Sequence, residues 1–184
     1  MMMIEEYNEN WIKQFKKIQN ILENNLSGVV KIEHVGSTAI IGMPAKPIID
    51  IDVVIDNKND FTIVKGDLKI IGYTHKGNLG IGGREMFERD NSYNEETLDK
   101  INHHLYVCTK DNEELNRHIL FRDYLNKNEK AKKEYIEIKR EIIKKVGNHN
   151  RQEYVLLKES EYNWFFEKII KEAKRINKKG IIKI

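Results

Sequence analysis

Apolar residues recur at spacings of four and three near the start of the chain: Tyr7, Trp11, Phe15, Ile18 and Leu22. This single stripe predicts an amphipathic helix over 5–25 whose aromatic edge packs into a core. The period then shortens to alternation. Residues 29–35 (VVKIEHV) predict a short strand ending at a Gly36-Ser37 turn. After Pro44 and Pro47, residues 48–55 (IIDIDVVI) form the most strand-like segment of the sequence. Phe61, Val64, Leu68 and Ile71 return to helical spacing over 57–71, with Gly72 as a stop signal.

Gly77, Gly80, Gly82 and Gly83 mark a loop that leads into a short strand around 84–88. Residues 101–109 (INHHLYVCT) alternate again and predict another strand. From about 111 onward the pattern is helical: Leu115, Ile119 and Leu120 lead into "FRDYL", a second helix covers 128–146, Gly147 and Asn148 break it, and a third covers 151–176. This order predicts an α+β (or α/β) fold, a mixed sheet flanked by helices with a helical C-terminal part, in one domain over 1–184.

Composition changes this picture little. The 184 residues are 40% hydrophobic and 33% charged, with two prolines, which fits a folded soluble protein. No apolar run reaches the roughly 18–20 residues of a spanning helix. The acidic start, "MMMIEEYNEN", has no signal-peptide core, so a cytoplasmic location is expected. Cys108 is the only cysteine and reads as a small buried hydrophobe. A net charge of +3 allows an anionic ligand but disfavours nucleic acid as the main partner. The lysine-rich last third, interleaved with glutamates, reads as a solvated helix face.

Candidate chemistry begins with Asp50 and Asp52. On a strand they project from one face, while Ile49, Ile51 and Val53 take the other. Neighbouring carboxylates repel, so the pair costs stability unless a cation lies between them. Such a pair suits Mg²⁺ shared with substrate phosphates; a polar sheet face meeting water is the plainer alternative. Ahead of it, Gly36 permits close backbone approach, and Ser37 and Thr38 add hydroxyls at a helix start, which together suit a phosphate. A phosphate turn followed by a metal-binding acid pair is what phosphoryl or nucleotidyl transfer uses. Lys46 lies between the two, as an added positive charge or as a solvated loop residue.

The run "EHVGSTAIIGMPAKPIIDIDVVI" resembles the GrpB family, a branch of the nucleotidyltransferase superfamily. The resemblance continues through "GIGGREMF", "NHHLYV", "ILFRDYL" and the Tyr154-to-Lys158 spacing of "YVLLK", over nearly the whole chain. It implies a nucleotidyltransferase-like mixed sheet with C-terminal helices. It also implies a metal-dependent transfer of a nucleoside monophosphate from a nucleoside triphosphate to a small-molecule acceptor. Asp50 and Asp52 would hold Mg²⁺ or Mn²⁺.

GrpB-like domains also occur fused to dephospho-CoA kinase. That supports the alternative of a non-catalytic nucleotide- or CoA-precursor-binding module. The chain departs from active nucleotidyltransferases at the third carboxylate. On "NHHLYV" it is His104 that shares a face with Tyr106, as third ligand or general base. Glu85 and Glu88 are alternative third ligands. Around this centre, Gly36, Ser37, Thr38, Lys46, Arg84 and Lys158 are expected to bind nucleotide phosphates. His34 reads either as a phosphate donor or as structural, and Arg122 and Asp123 read either as a buried structural pair, the favoured alternative, or as residues that reach the site.

Overall fold

A computed structural model of the chain describes residues 4–90, 95–147 and 149–178. The strands are β1 (Val29–Val35), β2 (Ile49–Ile55), β3 (Tyr73–Gly77), β4 (Arg84–Arg89) and β5 (His103–Thr109). The helices are α1 (Asn10–Asn25), α2 (Phe61–Ile70), α3 (Glu96–Lys100), α4 (Glu113–Lys127), α5 (Glu129–Val146), α6 (Arg151–Ser160) and α7 (Asn163–Lys178). Among the described residues one sheet contains five strands, in the order β1-β2-β5-β4-β3. Only the central β2–β5 pair is parallel; the other three pairings are antiparallel. The expected mixed sheet with a helical C-terminal part is present.

Each face of the sheet has its own cover. The α1 stripe of Trp11, Phe15, Ile18 and Leu22 packs with Val64 and Leu68 of α2 against Ile49, Ile51, Val53, Phe87, Leu105 and Val107. On the opposite face Leu115 and Ile119 of α4 pack on Val54 and Cys108. Burial pushes the Cys108 thiol up to about 12, in keeping with a small buried hydrophobe. Helices α4–α7 enclose a second core that includes Leu125, Tyr135, Ile142, Phe165 and Ile169. Ile40 and Met43, from the segment between β1 and β2, enter that second core.

Asparagine side chains fix the starts of α4, α5 and α6. Asn112, Asn128 and Asn150 accept from the backbone N–H groups of Leu115, Ala131 and Glu153, each cap contributing about 1 kcal/mol. Gly147 closes α5 with φ 77°; the other half of the expected break, Asn148, lies outside the described residues.

Four boundaries differ from the sequence reading. The first helix begins at Asn10, because Glu5 instead bridges to Ala45. Strand β3 (YTHKG) is short and polar, so it carries little alternation. Helix α3 is five residues long, too short to show a period. The expected single helix over 151–176 is two, α6 and α7. Tyr162 turns inward between them and its hydroxyl bonds Glu141 at 3.2 Å. No glycine or proline marks that turn, since tertiary docking creates it. Among the described residues no helix is long and apolar enough to cross a membrane.

Candidate functional site

The site lies on the sheet face that meets the C-terminal helices. Strand period puts Asp50 and Asp52 there together, as expected. Register then brings in His104 opposite Asp50 and Tyr106 opposite Asp52 on β5, with Glu33 opposite Asp52 on β1. From above, α4 supplies His118 and Arg122. Leu115 and Ile119 seat that helix on the sheet, and His118 and Arg122 follow on the same stripe at spacings of three and four.

Asp52 is fully buried and both of its carboxylate oxygens accept hydrogen bonds. One oxygen accepts from Arg84 Nη2 at 3.2 Å and Nε at 3.3 Å, and the other accepts from His118 Nδ1 at 2.8 Å. Arg84 is itself clamped, with its guanidinium carbon 3.3 Å from the centre of the Tyr106 ring. Asp50 is more open, at 32% side-chain exposure. One of its oxygens accepts from His104 Nδ1 at 2.9 Å, and the carboxylate packs under Gly36. That glycine has φ 71° and ψ −169°, and a Cβ built on it would overlap the carboxylate, only 3.0 Å from Asp50 Cγ.

These residues do not fit a site in which both aspartates share a divalent ion. Each aspartate holds an imidazole, and Asp52 also holds a guanidinium, so Asp52 presents no free oxygen. Among the described residues no three of His, Cys, Asp and Glu are grouped to hold a metal. The alternative third ligands are also elsewhere: Glu85 pairs with His75 at 2.7 Å and Glu88 with Lys76 at 2.9 Å. A third carboxylate does lie beside Asp52, namely Glu33, which is bound by Arg122 at 2.6 Å and Lys31 at 2.5 Å. Their charges hold the Glu33 carboxyl below its usual range against the opposing effect of burial.

Other expected residues divide. Ser37 takes its place at the site; its hydroxyl accepts from Lys139 Nζ at 2.8 Å. Thr38 is buried and its hydroxyl is engaged, donating to the Ile48 carbonyl at 3.2 Å and accepting from His34 Nε2 at 3.0 Å. His34 is structural: it stacks on Phe15, and burial pushes its pKa down to about 4. Arg122 does pair with Asp123 at 2.7 Å, but it also binds Glu33 and the His34 carbonyl.

Two adjoining cavities open here. The larger, about 520 Å³, runs between the sheet and α4–α7 past Arg84, Tyr106, His118, Phe121 and Phe166. The smaller, about 220 Å³, runs past Lys46, His104, Lys139, Arg151 and Tyr154. Ser37, Asp50, Tyr135 and Lys158 border both. Lys158 therefore points inward, as the family spacing implies, and Lys46 faces the smaller cavity rather than open solvent. Sequence reasoning missed Glu33, His118, Lys139 and Arg151. Of these only Glu33 carried a signal, two residues before Val35 on a strand.

This sheet, with its acidic strand beside a glycine turn, defines a nucleotidyltransferase-like fold. The Cid1 poly(U) polymerase, crystallised with MgGTP, has a similar fold (TM-score 0.54, 12% identity, 74% of this chain and 43% of that one). A nearer likeness is the crystal structure of the conserved protein GrpB from Enterococcus faecalis, at TM-score 0.74 and 29% identity, covering 92% of this chain and 96% of that one. The chain belongs to the GrpB family: the profile of the GrpB protein matches residues 1–172. Glutamate-rich protein GrpB of Alkalihalophilus pseudofirmus is 39% identical over 144 residues, 77% of this chain and 81% of that protein. UPF0157 protein YqkA of Bacillus subtilis is 34% identical over 137 residues, 74% of this chain but 38% of the relative's length.

Proposed function

We propose that the protein binds a nucleoside triphosphate across the two joined cavities. The observation that carries this reading is the shared border. Ser37, Asp50 and Lys158 stand where a large compartment with aromatic walls meets a small cationic one. A base and sugar suit the first, with Tyr106, Phe121 and Phe166 along it, and a phosphate chain suits the second. Gly36 lets the backbone pass close to Asp50 at this junction. The same division would accept a CoA precursor, whose phosphates and apolar parts are likewise separated.

A second reading, transfer of a nucleoside monophosphate to a small acceptor, is favoured by the Asp50–His104 pair. With Nδ1–H donated to Asp50, the other ring nitrogen of His104 is left as a proton acceptor at the smaller cavity. A thermal-shift panel of ATP, GTP, CTP, UTP and CoA precursors tests the binding reading. A ligand at a hundred times its Kd should stabilise the fold by about 2.7 kcal/mol. Release of pyrophosphate in the presence of an acceptor marks transfer; a shift without product marks a binder. If no nucleotide or CoA precursor raises the melting temperature, the binding reading fails.

A further inference from the structure

Cations around the two cavities differ in one respect. Those that line the larger cavity alone are paired with carboxylates: Arg84 with Asp52, Arg117 with Glu114 and Glu167, Arg122 with Glu33 and Asp123. Those of the smaller cavity are not. Lys46, Lys139, Arg151 and Lys158 all line it, and none of them forms an ion pair with a carboxylate of the described residues. Lys139 is buried, held by Ser37 Oγ and the Pro44 carbonyl at 2.8 and 2.6 Å. Lys46 lies over the Tyr154 ring and Lys158 over the Phe166 ring, at 5.0 and 5.1 Å from their centres.

We propose that Lys46, Lys139, Arg151 and Lys158 form a metal-independent subsite for a polyphosphate chain. This inference deepens the nucleotide-binding reading and rests on it. Its physical ground is that like charges gathered around one cavity, with Lys139 buried, Lys46 and Lys158 half-buried and Arg151 exposed, are costly without a counter-ion. The lysines register that cost. Burial and the neighbouring cations push Lys46 down to about 8 and Lys139 well below the usual lysine range. Burial also lowers Lys158. Asp50 is the single carboxylate that opposes these shifts for all three. An incoming polyanion reverses them and is held by ammonium groups already fixed in place.

The same arrangement accounts for the closed state of Asp52. With phosphate charge met by side chains, the aspartate is released from metal ligation and instead fixes Arg84 and His118. The cluster thus sits where its charge can replace that of a divalent ion.

Titration calorimetry with inorganic tripolyphosphate and with the four nucleoside triphosphates tests this on the full chain, in EDTA and in Mg²⁺. Lys46→Met and Lys158→Met, both at partly exposed positions, are compared after their folding is checked by melting. Tripolyphosphate should bind in EDTA, and each variant should weaken it about tenfold, equivalent to 1.4 kcal/mol. Binding that requires Mg²⁺, or that neither substitution weakens, overturns the inference. Tripolyphosphate bound in EDTA while no nucleotide binds keeps the subsite and removes the nucleotide reading. Silence from every ligand in every buffer removes both.

Discussion

Gly36 concentrates the demands of the site in one residue. Its backbone, φ 71° and ψ −169°, lies in a region open almost to glycine alone, where another residue costs roughly 1–3 kcal/mol. A side chain there also strikes Asp50, which would swing away from His104. Gly36→Ala is therefore expected to lower the melting temperature and to abolish any nucleotide-dependent shift. Wild-type melting and ligand response in that variant would show that the turn does not set Asp50. At this scale the sequence was readable where a rule is local. The turn glycine and the shared face of Asp50 and Asp52 follow from φ and from a period of two. What the aspartates face does not, because His118 and Arg84 arrive from 66 and 32 residues away.

Strand β2 carries the sharpest test between two accounts of the acidic pair. If Asp50 and Asp52 were two repelling carboxylates awaiting a cation, neutralising either one would stabilise the metal-free protein. With Asp52 fully buried and bonded to Arg84 and His118, Asp52→Asn instead leaves a buried guanidinium without its counter-charge, at a cost of about 3–5 kcal/mol. Denaturant unfolding in EDTA separates the accounts, and a more stable variant would restore the metal-site reading. Helix α5 shows why Lys139, the buried member of the cation cluster, escaped the sequence. Lys132 and Lys139 are two turns apart and both buried, yet among so many lysines and glutamates they look like any solvated face. Charge runs report composition; only packing tells which members turn inward.

Two cores meet at the site. One lies under the sheet with α1 and α2, the other among α4–α7, and the segment between β1 and β2 belongs to both. Ala45 packs in the first core, while Ile40 and Met43 pack in the second. Polar contacts cross the gap beside it: Lys139 to Ser37 and Pro44, Asn126 to the Ala39 carbonyl and the Ile41 N–H, Arg122 to Glu33. The order of helices and strands was legible because each period is local. The division into two cores was not, since both are built from the same residue types. A chain tied this way should unfold as one unit, with equal calorimetric and van't Hoff enthalpies. Phe165 is fully buried in the second core, and its replacement by alanine should cost about 3–5 kcal/mol. If the chain is one cooperative domain, Phe165→Ala lowers the temperature of the whole transition, and near-ultraviolet and far-ultraviolet signals fall together. If an early transition splits off while the sheet survives, the helices are a separate unit. The joined cavities would then be an interface that ligand must close.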